Sequence, residues 1–307
     1  NGEKLASQKH FMLVRNNHDL EIQNVDGKTL PQYMDLGVCG PEYTPFQNKE
    51  VFEFFTKFTE AGHMKMETAG SLRRGQMVWA LAKINSDFEL AGGDKVGGYL
   101  LLSNPHIWGK AATAMLTQVR VVCNNTLTWA LGEAGKAQFR MPHLNDFASY
   151  AEAAEKALGL SLIQMAEFKE QAEFLSSKRM YTQDMHEFLV RVFQPGVLEN
   201  ISTDSAEIER TEYLKKLAPK ELRSEIIANT DLVRNAVAAE EAIMLAPGAD
   251  MESARGTYWG GVNGVTYVVD HMIGRDRDAQ LEQAWFGQRA SLKRKAVEIG
   301  MEMANAA

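Results

Sequence analysis

Hydrophobic spacing along the chain changes period twice, and the changes divide it. Near the start, Phe11-Met12-Leu13-Val14 and Leu20-Glu21-Ile22 alternate weakly around Asn16-Asn17, which predicts two short strands joined at that turn. Pro45 keeps Tyr43-Thr44-Pro45-Phe46 extended, because its ring crowds a helical conformation at the preceding residue. Asn48 then predicts a helix cap through its side-chain oxygen. Val51, Phe52, Phe55 and Phe58 follow at helical spacing until Gly62. From His63 the period becomes two. Met64, Met66 and Thr68 alternate with Lys65 and Glu67, and a turn at Ser71-Leu72-Arg73-Arg74-Gly75 leads back along Met77–Ile84. The glycine-rich Ala91-Gly92-Gly93-Asp94 precedes a third strand, Tyr99–Leu102. Ser103-Asn104-Pro105-His106 breaks the pattern, and a fourth strand spans Leu116–Cys123. Asn124-Asn125-Thr126 predicts the cap of a short helix that runs through Leu131 and stops at Gly132.

Beyond Pro142 the helical period prevails. Helices are predicted from Asn145 or Asp146 to Leu158, over Leu162–Ser176, and from Thr182 to just before Pro195-Gly196. Ser202–Ser205 is a polar linker into helices interrupted by Pro219 and Pro247-Gly248; the last two cover Ser253–Ile273 and Asp278–Met303. The fold class is therefore α+β: an N-terminal helix plus antiparallel β-meander domain over residues 1–143, followed by an all-helical domain over 144–307.

Composition narrows the classes. Apolar residues make up 45% and charged ones 24% of 307 residues, which places the chain among folded globular proteins. No run reaches the roughly 18 apolar residues of a membrane span, and the polar opening Asn1-Gly2-Glu3-Lys4 predicts no secretory signal. Two cysteines, Cys39 and Cys123, make neither a disulfide framework nor a four-ligand zinc site, so a reducing cytoplasm is the expected setting. Net charge is −7, yet residues 62–140 carry nine basic and five acidic side chains, leaving that stretch at +4. A local basic surface on an acidic protein fits an anionic partner.

No catalytic signature fills in the chemistry. The seven histidines show no i, i+4 pair, no Cys-x-x-Cys occurs, and nucleophile elbow, phosphate loop and dinucleotide fingerprint are all missing. Neither metal nor cofactor is expected, and catalytic residues are not assigned. Cys123 falls where a strand is expected to enter a helix, on the side facing the core. Gly256, Gly260 and Gly264 lie four apart on a predicted helix and would let a second helix approach closely, within or between subunits. Arg73 and Arg74 at the hairpin tip, with Lys83, Lys110 and Arg120, form a candidate set of phosphate contacts. Asn104, Asn124 and Asn125 are candidate amides for holding bases.

Four stretches together resemble a phage- and plasmid-borne family catalogued mainly as a domain of unknown function. They are Tyr43 to Asn48, Ala69 to Gly75, Val119 to Leu127 (Val-Arg-Val-Val-Cys-Asn-Asn-Thr-Leu), and Gly256 to Thr266 with Asp270-His271. The resemblance spans nearly the whole chain and implies a bacterial host cell; the family's usual N-terminal segment is not seen in this sequence. Helix, antiparallel sheet and helix in succession are also similar to the core of the single-strand annealing superfamily, which includes phage recombinases of the Erf and RecT kind. That similarity implies rings or filaments that hold single-stranded DNA in a basic groove beside the hairpin, with Arg73, Arg74, Lys83, Lys110 and Arg120 on phosphates.

The expected function is accordingly non-enzymatic: binding and annealing of single-stranded DNA by a homo-oligomer, alongside phage or host recombination proteins and away from membranes. A protein-interaction scaffold using the acidic helical half is the alternative. A metal-dependent nucleic-acid enzyme is the third reading, with Asp270 and His271 or Asp276 and Asp278 as its acid–base or metal groups.

Overall fold

The computed structural model describes residues 11–16, 33–60, 64–123, 125–127, 138–143, 164–193, 205–218, 220, 223, 230–274 and 276–307. The fold is mixed, with an antiparallel sheet in the N-terminal half and helices in the C-terminal half. The chain forms two compact units. One takes residues up to 85, 99–116 and 135–160; the other takes 86–98, 117–134 and 161–307. Each unit is assembled from three separate stretches of the chain.

In the first unit β1 (Phe11–Asn16) pairs antiparallel with β2 (Tyr33–Cys39), Phe11 opposite Cys39. The expected partner, Leu20–Ile22, lies outside the described residues. Met34, Leu36 and Val38 do alternate with Asp35 and Gly37, a period-two signal outside the strands expected from sequence, although burial along the strand does not follow it. Helix α1 (Asn48–Glu60) forms where expected, but its first turn is capped differently. The N–H of Gln47 donates to Glu50 Oε2 at 3.1 Å, while Asn48 Oδ1 is taken by Asn104 Nδ2 at 2.9 Å and His106 Nε2 at 3.0 Å. Asn48 therefore ties the helix start to the sheet.

Strands β3 (Met64–Leu72) and β4 (Met77–Ile84) form the expected hairpin, with Leu72 opposite Met77 at the tip and Met64 opposite Ile84 at the base. Gly70 faces Trp79 across the pair; a Cβ there would lie 2.9 Å from the indole, so only glycine lets the ring lie flat over the strand. β4 also pairs with β6 (Asp94–Pro105), Met77 opposite Pro105. β7 (Ala112–Arg120) pairs with β9 (Gln138–Met141), Thr113 opposite Arg140. Sheet order is β3-β4-β6-β7, continuing to β8 (Asn125–Leu127); β5 (Phe88–Leu90) pairs with the start of β6. Where a capped helix is expected at Asn125–Leu127 there is thus a strand, Arg120 opposite Asn125. The short Thr126-Leu127 step suits either conformation, and pairing to β7 decides it. Cys123 accordingly sits in a strand-to-strand turn, without a helix N-terminus to lower its thiol pKa; burial pushes that thiol up instead.

The second unit is built mainly from α2 (residues 164–177), α3 (Thr182–Phe193), α4 (Ser205–Leu217), α5 (Thr230–Leu245), α6 (Tyr258–Tyr267), α7 (Arg277–Trp285) and α8 (Gln288–Ala306). Phe168, Phe188, Ala239, Trp259, Val262 and Ala296 share one core. The expected helix 145–158 lies outside the described residues. The long helix expected from Ser253 starts only at Tyr258, where the Thr257 hydroxyl accepts from the N–H of Gly260 at 3.2 Å, and it ends in a π-helical turn, Val268–Met272. Gly256 therefore sits in a turn at φ 64, outside the glycine ridge expected of it. Gly264 does bring helices together, since a Cβ there would lie 2.4 Å from the Ile243 side chain of α5. The last predicted helix is broken at Phe286-Gly287 into α7 and α8.

Candidate functional site

The candidate residues scatter rather than converge. Arg73 and Arg74 are exposed at the β3–β4 tip, both left-handed at φ 51 and 58, ahead of Gly75 at φ 95. Leaving β4, Met77 pairs with Pro105, and the N–H of His106 donates to the Gln76 carbonyl at 2.6 Å. The tip and the loop His106–Ala111, which carries exposed Lys110, thus occupy the same end of the β4–β6 pair. Lys83 lies near the other end, opposite Lys65, about 20 Å along the strand at the usual strand rise. Asn124 lies outside the described residues.

Arg120 and Asn125 are buried in the second unit. Arg120 is 2% exposed, and its Nε donates to both oxygens of Asp94 at 2.8 and 2.9 Å. Its Nη2 donates to the carbonyl of Gly248 at 2.9 Å. Asp94, fully buried, also accepts from Ser253 Oγ at 2.6 Å and Trp259 Nε1 at 3.0 Å. Asn125 Nδ2 donates to the carbonyl of Asn263 at 3.0 Å. Two of the four stretches that carry the family resemblance, Val119–Leu127 and Gly256–Thr266, therefore meet here as an internal clamp, and Arg120 faces a carboxylate where a surface phosphate contact was expected. The cavity beside Arg120, Asn125 and Asn263 measures about 10 Å³, room for one water and no ligand.

Asp270 is equally committed. Its oxygens accept from the N–H of Thr126 at 2.6 Å, the Thr126 hydroxyl at 2.8 Å and Lys293 Nζ at 2.9 Å, and Lys293 also donates to the Thr126 carbonyl at 2.8 Å. Burial pushes the Lys293 ammonium pKa down while Asp270 opposes the shift. His271, beside it in the π turn, is also lowered by burial. Asp276 accepts from the N–H of Ala279 at 2.8 Å as the α7 cap. Among the described residues no cluster of three or more His, Cys, Asp or Glu is placed to hold a metal. These acids position secondary structure.

An open cavity of about 590 Å³ lies in the first unit, between the turn Gly40–Tyr43, the loop Trp108–Ala111 and the end of β9 at Arg140–His143. Trp108 is 60% exposed, with Gly40 beneath its ring, where a Cβ would come within 3.9 Å. His143 is sandwiched between Tyr43, with centroids 4.8 Å apart and planes 18° from parallel, and Phe46, at 4.5 Å and 29°. His143 Nδ1 donates to the Thr44 carbonyl at 3.2 Å, and the N–H of Thr44 donates to the His143 carbonyl at 2.7 Å, so turn and strand lock together. Burial lowers the His143 pKa against the pull of the Thr44 and Pro105 carbonyls; burial, then His143, lowers His106 to about 4. Burial, then the Cys39 charge, pushes Tyr43 up to about 12. All three rings are neutral near pH 7. The charges at the rim are Lys110, Arg140 and Glu42. Of these residues only Lys110 is a candidate contact in the sequence, while Tyr43 and Phe46 fall in a stretch that carries the family resemblance; the local signal for the rest is Trp108-Gly109-Lys110, an aromatic beside a cation in a loop just past Pro105.

Fold and site together define an α+β protein with an interlocked polar interior and an aromatic, cation-rimmed cavity beside its sheet. No described helix is long and apolar enough to cross a membrane. The chain belongs to the DUF932 family, a domain of unknown function, whose family model matches residues 35–292. That is in line with the catalogued family its motifs resemble. No curated protein and no solved structure matches the chain.

Proposed function

We propose that the first unit binds single-stranded nucleic acid at the end of its sheet, with Arg73, Arg74 and Lys110 on phosphates. The observation that supports this reading is the tip itself. Two successive non-glycine residues in the left-handed region cost about 1–2 kcal/mol each, and both are exposed arginines where glycine would sit without strain. Strain kept at an exposed pair of guanidiniums points to use of those guanidiniums. Their paired N–H donors match phosphate oxygens. Annealing of complementary strands is the reaction that follows, because it needs a neutralised backbone and exposed bases and breaks no bond. In this reading Arg120 and Asn125 leave the contact set, and the acids of the third reading serve the interior.

The test is R73G/R74G, followed by fluorescence anisotropy with a labelled single strand and by thermal melting. Affinity is expected to fall at least tenfold while the melting temperature holds or rises. A rise in melting temperature with unchanged affinity would mean that the tip is only a turn.

A protein-partner reading is favoured by one other observation. In the second unit Tyr181, Met244 and Leu245 are 73%, 57% and 74% exposed. Met180, Met185 and Met244 line a groove of about 340 Å³ there, and flexible thioethers suit varied apolar partners. A strand affinity no better than that of any weakly basic surface would move the weight to this groove.

A further inference from the structure

We infer that the cavity between Tyr43, Trp108 and Arg140 is a nucleotide subsite, in which an aromatic base stacks on Trp108 and its phosphate lies between Lys110 and Arg140. The inference rests on the strand-binding reading above and names where a base of that strand is held.

The chemistry of the walls carries it. At about 590 Å³ the cavity falls within the ordinary size range of small-ligand sites. Its lining pairs apolar rings with a few polar ends, the composition such sites share. Trp108 keeps most of its indole in solvent, where an apolar surface of that size is otherwise unfavourable. It is held there by construction: Gly109 turns the loop at φ 80, and the N–H of Lys110 donates to the Ile107 carbonyl at 3.1 Å. The Gly40 backbone packs beside the indole, where even a Cβ would make an ordinary contact at 3.9 Å.

The cations come from a strand, β9, and the loop that leads into β7. Thr113 opposite Arg140 in the β7–β9 register brings Arg140 alongside the loop that carries Lys110, three residues before Thr113. An anion between them meets one forked and one point-charge donor. Glu42 on the same rim repels a bare anion and accepts from a sugar hydroxyl or a base amine, which favours a whole nucleotide over inorganic phosphate. Tyr43, stacked on His143 and hydrogen-bonded by its hydroxyl to the Pro105 carbonyl at 3.5 Å, is a rigid wall. The same cavity lies at the sheet end that carries Arg73 and Arg74, so one strand can serve both.

The experiment is calorimetric titration of the full chain with adenosine 5′-monophosphate, with inorganic phosphate as comparison, in the wild type and in W108A. Trp108 is exposed enough for its removal to leave the fold intact, which circular dichroism checks. Binding of the nucleotide in preference to phosphate, weakened about tenfold or more in W108A as loss of base stacking requires, supports the subsite. No nucleotide binding, or equal binding by W108A, overturns it, even if a strand still binds through Arg73 and Arg74. If the nucleotide binds through Trp108 but no strand binds at all, the subsite stands and the strand-binding reading falls. Displacement of a bound labelled strand by the mononucleotide identifies a base within a strand as the occupant; binding without displacement identifies a free nucleotide.

Discussion

Replacing Arg120 by methionine separates an interior clamp from a surface contact. The guanidinium is one of three donors on the fully buried Asp94 carboxylate, and the only charged one among the partners described; Ser253 and Trp259 remain when it is removed. Arg120→Met would strand that carboxylate in a low-dielectric interior and leave the Gly248 carbonyl without its donor. Breaking one side of a buried ion pair costs about 3–5 kcal/mol, against roughly 5–15 kcal/mol for the stability of an ordinary domain. R120M/D94N should recover part of the loss, because the asparagine still accepts from Ser253 and Trp259 without a charge to desolvate. Urea unfolding followed by far-ultraviolet circular dichroism reads this, since the unit concerned is mostly helical. A loss under about 1 kcal/mol together with weaker strand binding would refute the clamp and return Arg120 to the phosphate surface.

Other perturbations test neighbouring points. Lys293→Met should destabilise by about 3–5 kcal/mol, and adding Asp270→Leu should restore part of that in the same unfolding assay, because the unpaired carboxylate goes with it. Gly264→Ala would push a methyl to 2.4 Å from Ile243 and should cost about 1–3 kcal/mol; an unchanged midpoint would mean that α5 and α6 are not closely packed. His106, lowered to about 4 by burial and then by His143, is neutral in the folded state while the unfolded chain protonates near 6.5. The unfolded state therefore gains a proton first, and stability should fall as pH drops from about 6.5 to 4, by at most about 3 kcal/mol. Asparagine at that position should flatten the dependence; an unaltered pH profile would contradict it.

The alternating run Met64–Thr68, the Arg73-Arg74-Gly75 turn and the Met77–Ile84 return were legible because a hairpin writes its period and its turn into adjacent residues. The helix starting at Asn48 was legible for the same reason. What lay beyond reach depends on partners distant in sequence. Asn125–Leu127 is a strand only because β7 is beside it, and Asn48 fastens to Asn104 and His106, 56 and 58 residues away. Arg120 looked like a phosphate contact because alternation assigns it a face without saying what covers that face. Asp94, read as part of a glycine-rich loop, proved to be its counter-charge. The cavity was equally hidden, since its walls come from three separated segments. Its one local clue was the exposed aromatic in Trp108-Gly109-Lys110.

The salt dependence of single-strand binding tests the central claim most directly. Arg73, Arg74 and Lys110, the proposed phosphate contacts, should release counterions from about three phosphates, so log K against log salt should fall with a slope of roughly −2, at about 0.7 per phosphate for a single strand. R73G/R74G should bring that slope to about −0.7. Binding that ignores salt, a slope unchanged by that double substitution, or no binding at low salt would contradict it.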